Sequence, residues 1–150
     1  MRRLIASTLL ATAMIAGTAT AGPTRSATER NREIVTAFAE QFYGRRDVAG
    51  AFERFVVPDY IQHNPGLPDG REAAVAALAP KFSTPGARFD VKRIIVDGDL
   101  AVIHLHGRTD PATAGGAVAD IYRLKDGKIV EHWDVIQSMP ASARNPHPMF

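Results

Sequence analysis

The chain has 150 residues, of which 45% are hydrophobic and 23% charged. That length suits one globular domain, and that composition argues against disorder throughout. The formal charge is +2, and two arginines lie within residues 1–21. The remainder is therefore neutral, and we expect no nucleic-acid partner. Cysteine is absent, which excludes disulfides, a thiol nucleophile and thiolate metal sites.

The N-terminus has the layout of a secretory signal peptide. Arg2-Arg3 precedes an apolar run over residues 4–16, and Ala19-Thr20-Ala21 offers a small-residue cleavage site. We predict a signal peptide over residues 1–21, cleavage near Ala21, and a secreted or periplasmic protein with no stable membrane anchor. A retained anchor is the alternative, but a spanning helix needs about 20 strongly apolar residues.

A loose leader over residues 22–27 is expected to precede three helices. Apolar residues at three- and four-residue spacing predict the first helix from about Thr28 to Gly44. Asp47 is a candidate N-cap for a second short helix, which Pro58 is expected to end. The third helix is predicted over residues 71–82, with Pro80 as a candidate early break.

The second half of the chain is typical of strands. Tyr60 to Pro65 is a short extended piece. Four strands then alternate in hydrophobicity and are joined in part by tight Asp-Gly turns: 88–96, 100–108, 116–124 and 128–137. Helices followed by an antiparallel meander predict an α+β fold, with helices packed on one face of a curved sheet around a concave pocket. The domain is predicted over residues 28–140, with an irregular tail over 141–150.

Strand alternation identifies candidate polar faces. His104 and His106 share one face of their strand, Asp120 and Tyr122 share a face of the next, and Asp120 lies beside the histidines if the registers agree. On the last strand His132 and Asp134 share one face, opposite Trp133 and Gln137, and a bulge would exchange these faces.

Each candidate also has an ordinary structural interpretation. The two histidines of the His104-x-His106 pattern could be solvent-exposed. Asp120 could form a salt bridge to Arg93 or Arg108, because an unpaired buried carboxylate is costly. Trp133 could belong to the core, and His63 could stabilise a turn.

Proton transfer is the chemistry that this set of side chains supports. Imidazole titrates near neutral pH, and a carboxylate in an apolar pocket is a usable base or acid. Zinc binding by histidines and a carboxylate, with Asp110 following His106, is the rival interpretation. No phosphate-binding loop or dinucleotide fingerprint is present, so we expect no organic cofactor, and we assign no metal ligands.

Three segments resemble the SnoaL-like proteins of the NTF2-like superfamily. They are residues 60–65, the hairpin of residues 96–106, and residues 119–137. The resemblance spans roughly residues 30–140 and implies an α+β cone that can dimerise through the outer sheet face. It also implies a cyclase-type aldol condensation, with Asp120 and His106 as the catalytic pair. The pocket-lining residues expected are Tyr60, His63, Asn64, His104, Tyr122, Trp133, Asp134 and Gln137.

Two classes of function follow. The first is an exported acid/base enzyme of the aldol-condensation, isomerase or lyase type, acting on a small hydrophobic carbonyl compound. The second is a periplasmic domain that binds a small hydrophobic ligand without catalysis. A histidine-based metal-binding protein is a further alternative.

Overall fold

The computed structural model describes residues 25–150. The predicted signal peptide and the start of the leader lie outside this range. Three helices come first: α1 (Ala27–Ala39), α2 (Val48–Phe55) and α3 (Arg71–Ser83), with a π-helical turn, Glu40–Gly44, directly after α1. Ser26 caps α1, because its hydroxyl accepts a hydrogen bond from the Glu29 backbone N–H at 3.1 Å while the Glu29 carboxylate accepts from the Ser26 N–H.

Five strands form one sheet in the order β1-β5-β4-β3-β2. Their bounds are β1 (Val56–Gln62), β2 (Arg88–Asp97), β3 (Leu100–Arg108), β4 (Gly116–Lys125) and β5 (Lys128–Ser138). Strands β2 to β5 pair antiparallel with one another, and β1 pairs parallel to β5. The predicted α+β fold is confirmed. The sheet is mixed because β1 leads into α3 rather than into a hairpin.

Two prolines act differently from the prediction. Helix α2 ends at Phe55, three residues before Pro58, because Val56 already has the extended backbone of β1. Pro58 lies within β1, where the pairing with β5 is irregular. Pro80 does not break α3, which continues to Ser83. The hydroxyls of Ser83 and Thr84 donate to the Pro80 carbonyl and help to complete the final turn.

The core lies between the helices and the inner face of the sheet. Phe38 is fully buried and packs edge-on against Tyr122, with ring centroids 5.2 Å apart. Ile103, Leu105 and Ile129 contribute the buried apolar positions of β3 and β5. Within residues 25–150, no helix is long and apolar enough to cross a membrane. The helices cover only part of the inner face, and a cavity occupies the rest.

Candidate active site

A cavity of about 590 Å³ opens between the inner face of the sheet and the helices. That volume suits a small organic ligand. Apolar walls come from α2, α3 and the inner sides of β3 and β4, including Phe52, Leu78, Leu105 and Val118. The polar lining is concentrated on three strands and the π-helical turn, and comprises Tyr43, Tyr60, Gln62, Asn64, Asp120, Tyr122, His132 and Asp134.

Asp120 is the central polar group of this lining, and only 8% of its surface is exposed. The Tyr43 hydroxyl donates to its Oδ2, and the Tyr122 hydroxyl lies 2.8 Å from the Tyr43 hydroxyl. The His132 ring approaches from the other side, with Nε2 at 3.1 Å from Asp120 Oδ1. The carboxylate therefore has a phenol on one oxygen and an imidazole on the other.

The tautomer of His132 follows from its second contact. Gln62 Oε1 accepts the Asn64 backbone N–H at 2.9 Å, so this atom is the amide oxygen and not the nitrogen. His132 Nδ1 lies 2.9 Å from the same oxygen and must therefore donate to it. The Nδ1 proton is fixed on the Gln62 side, and Nε2 faces Asp120. Unless a proton or a cation lies between them, Nε2 and Oδ1 are two facing acceptors.

Burial keeps the phenols of the site protonated. Desolvation, followed by the negative charge of Asp120, raises the pKa of Tyr43 and of Tyr122 well above the ordinary tyrosine value. The pKa of Tyr60 is also raised, mainly by burial. Gln62 Nε2 donates to the Tyr60 oxygen at 3.4 Å, and the Tyr60 O–H has no acceptor among the described residues. Tyr60 is therefore a free hydrogen-bond donor in the cavity wall.

Asp134 lies directly opposite Asp120 on the neighbouring strand. Asn64 Nδ2 donates to Asp134 Oδ2 at 2.5 Å, and Asn64 Oδ1 accepts the Gly66 N–H at 2.8 Å. One ligand atom each from Asp120, His132 and Asp134 lie within 4.8 Å of one another. Two carboxylates and one imidazole thus meet on the inner face of β4 and β5.

A bulge in β5 brings His132 and Asp134 to the inner face. The Asp126-Gly127 turn has positive φ at both residues, as a tight hairpin turn of the primed type requires. The pairing starts with Lys125 opposite Lys128 and Leu124 opposite Ile129 and then shifts, so that Arg123 lies opposite Glu131. The extra residue places Ile129 and His132 on the same face, although they are three positions apart.

The expected pairing of Asp120 with His106 is wrong. Asp120 lies opposite Ile103, and His106 lies opposite Ala117. Because residues opposite each other share a face, Asp120 points inward with Ile103, and His106 points outward. His106 Nε2 bonds to the Ala114 carbonyl at 2.8 Å, and its ring stacks on Phe150. Arg108 and Gly116 are eight positions apart, so no tight turn fixes the pairing register of β3 with β4.

Other predicted residues also lie on the outer face. His104 Nδ1 lies 2.7 Å from an Arg93 nitrogen, and the alternative salt bridge from Asp120 to Arg93 or Arg108 does not form, since Asp120 pairs with His132. His63 stacks on Trp133 with ring centroids 4.7 Å apart and bonds to Glu131 at 2.7 Å. The predicted pocket residues outside the cavity lining are His63, His104, Trp133 and Gln137; those within it are Tyr60, Asn64, Tyr122 and Asp134.

The sequence prediction missed three site residues. The alternation already places His132 on the same strand face as Asp134, so its place in the pocket follows from that of Asp134. Gln62 lies inside the Tyr60–Pro65 motif and was not singled out. Tyr43 carries no local signal, since it ends a helical pattern and reaches Asp120 only through tertiary packing. The rival metal set of His104, His106 and Asp110 does not face this cavity: the histidines lie on the outer sheet face, and Asp110 lies in an exposed loop.

Comparisons with a family model and with solved structures agree with this architecture. The family model for the SnoaL-like domain matches residues 35–132. An NTF2-like protein of unknown function from Mesorhizobium loti has a TM-score of 0.65 at 23% identity, over 77% of this chain and 98% of its own. A protein from Jannaschia sp. CCS1, named as a SnoaL-like polyketide cyclase, has a TM-score of 0.59 at 23% identity, over 77% and 91%.

A third similar structure has a different name. It comes from Kribbella flavida, is named as a ketosteroid isomerase, and has a TM-score of 0.58 at 18% identity, over 81% of this chain and 84% of its own. No curated protein matches the sequence significantly. These identities show a shared fold and not a shared activity. Because the family model covers most of the described domain, the chain belongs to the SnoaL-like domain family.

Proposed function

We propose that this protein is an acid/base enzyme that moves a proton on a small hydrophobic carbonyl compound. Asp120 is the proton-transfer group, and His132 is its partner in place of the His106 expected from the resemblance. The observation that carries the proposal is the buried Asp120 carboxylate, held between the Tyr43 hydroxyl and His132 Nε2 in the wall of a largely apolar cavity. A carboxylate in such surroundings is a suitable base for a weakly acidic C–H bond.

The step balances without a cofactor. The Asp120 carboxylate takes a proton from the carbon next to the substrate carbonyl, and the C–H electron pair forms the C=C bond of an enolate. The negative charge moves to the carbonyl oxygen. Return of the proton to another carbon gives an isomerase, whereas attack of the enolate carbon on a second carbonyl gives an aldol product.

Tyr60 is the best-placed donor for the enolate oxygen. Its O–H has no acceptor among residues 25–150, it lines the cavity, and its raised pKa keeps it protonated. Tyr43 and Tyr122 are less suitable, because Tyr43 donates to Asp120 and Tyr122 can then donate only to Tyr43. A fixed donor near developing charge is a major source of rate acceleration.

The test is carbon-bound hydrogen exchange in D₂O, followed by NMR, on a panel of small hydrophobic ketones. We expect Asp120→Asn to lower the exchange rate by about 10²- to 10⁴-fold, the usual effect of removing a general base. His132→Gln should lower the rate strongly, whereas His106→Gln, on the outer face, should leave it within about twofold. This histidine pair is a matched comparison of the two faces.

Three outcomes separate the possibilities. Loss of exchange in the His106 variant but not in the His132 variant would overturn the assigned partner. Exchange that survives Asp120→Asn would overturn the assigned base. Ligand binding in the cavity with no exchange on any ketone of the panel would favour the non-catalytic binding domain.

We also propose that the protein acts outside the cytoplasm. Support comes from the sequence alone, in which a basic start, an apolar run and Ala19-Thr20-Ala21 follow the order of a signal peptide. Mass spectrometry of the protein recovered from the cell envelope or medium should find an N-terminus at Gly22. A chain that retains Met1 or stays in the cytoplasm would contradict this.

A further inference from the structure

We propose that Asp120, His132 and Asp134 form a binding site for one divalent transition-metal ion, with zinc as the representative ion. This inference does not depend on the proposed reaction, because it rests on the donor atoms, the charges and the positions of the three side chains. An ion bound to the Asp120 carboxylate would compete with proton transfer to that carboxylate, so the two uses of the site are alternatives.

The first support is the set of donor atoms. One imidazole and two carboxylates are ordinary ligands for zinc and its neighbours in the first transition row. The three ligand atoms lie within 4.8 Å of one another. Nitrogen and oxygen ligands lie about 2.0–2.2 Å from zinc, so two of them in a tetrahedral site are separated by about 3.4 Å. Binding an ion would therefore draw the three ligand atoms closer together.

The second support is an unbalanced charge. Asp120 and Asp134 are directly opposite on adjacent strands, and like charges at such positions repel each other. Asp120 is buried, and water screens its charge poorly. No lysine or arginine of the described residues contacts either carboxylate. Among residues 25–150, Lys81 is the only lysine or arginine in the cavity lining, and it is solvent-exposed on α3.

The third support is the orientation of the ligands. The Nδ1–H of His132 donates a hydrogen bond to Gln62 Oε1. In the neutral ring the lone pair is therefore on Nε2, which faces the carboxylates. Metal-bound histidines commonly donate their other ring N–H to an oxygen in this way. Asn64 holds the Asp134 carboxylate through Oδ2, and the Gly66 N–H fixes the Asn64 amide, so the orientation of the Asp134 carboxylate is set by its neighbours.

The site would have open positions. The three protein ligands lie in the wall of the cavity, so the remaining coordination positions face the space where a ligand would enter. An oxygen-bearing molecule could complete the coordination. The group that we expect to bind is therefore a metal together with water or a small oxyanion, and not a fully enclosed structural ion.

The experiment uses the full chain without a histidine tag, stripped of metal by a chelator. Isothermal titration calorimetry with Zn²⁺ should give one site per chain, and Co²⁺ should give saturable visible absorption bands that Zn²⁺ abolishes. Asp134→Asn keeps the size of the side chain and its contact with Asn64, and it should weaken Zn²⁺ binding at least tenfold. His132→Gln should weaken it more.

His104→Gln on the outer face of the same sheet is the matched control and should leave the affinity unchanged. Circular dichroism and thermal melts establish that each variant is folded, and Asp134→Asn keeps the test decisive if His132→Gln does not fold. The inference is overturned if no saturable Co²⁺ band appears, if Asp134→Asn binds as tightly as the parent, or if only His104→Gln loses binding. Ketone exchange by the metal-free protein tests the proposed reaction separately.

Discussion

The chain of contacts from Tyr122 through Tyr43 to Asp120 fixes the direction of every hydrogen bond in it. Asp120 accepts from Tyr43, so the Tyr43 oxygen can only accept from Tyr122, at 2.8 Å. Both phenols are buried, and their raised pKa keeps them as donors at neutral pH. The two tyrosines therefore differ in importance, since only one of them contacts the carboxylate.

Tyr43→Phe is expected to destabilise the protein and lower its activity. The substitution keeps the ring but removes the donor to Asp120 Oδ2, and a hydrogen bond to a charged group contributes about 1.5–3 kcal/mol. Tyr122→Phe is the matched control and should cost about 1 kcal/mol, as a neutral hydrogen bond does. Urea unfolding measures the loss of unfolding free energy in both variants, and a constant m-value shows that stability alone has changed. A larger loss for Tyr122→Phe would contradict this arrangement.

Which polar residues of β3 and β4 face the cavity depends on the pairing register of these strands. The sequence predicts that register only in part. The apolar Ile103 and Leu105 alternate with His104 and His106, which indicated that one face of β3 is core and the other is not. If Asp120 points inward with the apolar residues of β3, then His104 and His106 point outward and lie outside the site. The contacts of Tyr43 and Gln62 depend on tertiary packing, and no local pattern predicts them.

At the scale of elements, the strand bounds were predictable because turns and alternation mark them. The predicted 100–108 strand is identical to β3, and the other three strands begin at the predicted residue and end one residue later. The bulge in β5 was not predictable from the pattern. The parallel pairing of β1 with β5 was missed for another reason: it joins segments about 70 residues apart, and β1 has no hairpin partner.

Helix α2 depends on a local arrangement around Asp47. The Asp47 carboxylate accepts the Gly50 N–H at 2.9 Å and the Gln41 side-chain N–H at 2.7 Å. A Cβ on Gly50 would lie 2.2 Å from Asp47 Oδ2, so glycine lets the carboxylate approach the helix. These two hydrogen bonds, with that from Gln41 the larger cause, lower the pKa of Asp47 below its ordinary value.

Asp47→Ala should therefore lower the melting temperature in a pH-dependent way. Because the folded-state pKa is lowered, the ionised cap stabilises the fold above the ordinary aspartate pKa, and this contribution is lost as the pH falls through the folded value. The difference in melting temperature should be largest near pH 7 and shrink below about pH 3. Asp59→Ala, at an exposed position of β1, is the control. An equal difference in melting temperature at pH 7 and below about pH 3 would contradict the prediction.

At the scale of the molecule, the outer face of the sheet is unusually apolar. The pairing places Ile95, Val102, Ile121 and Trp133 in one row, and Arg93, His104, Ala119 and Val135 in the next. Ile95 is 57% exposed and Val135 65% exposed. The C-terminal Phe150 covers His106 at one end of this face, and His63 covers Trp133, but Ile95 and Val135 stay exposed. The described chain thus exposes apolar side chains that water solvates poorly.

The dimer implied by the family resemblance is expected to form through these rows. Two copies stacked face to face would bury the exposed apolar side chains, and a stable interface of this kind covers about 800 Å² on each copy. Val135→Glu would place a charge in the centre of that contact and should convert a dimer into a monomer in sedimentation-velocity measurements. Thr36→Glu adds the same charge to the exposed face of α1 and should leave the dimer intact.

Because Asp120, His132 and Asp134 lie on the inner face, the monomeric variant should keep its ketone exchange and zinc binding. A parent protein that sediments as a monomer at micromolar concentration would contradict the prediction, and a Val135→Glu dimer would place the contact elsewhere.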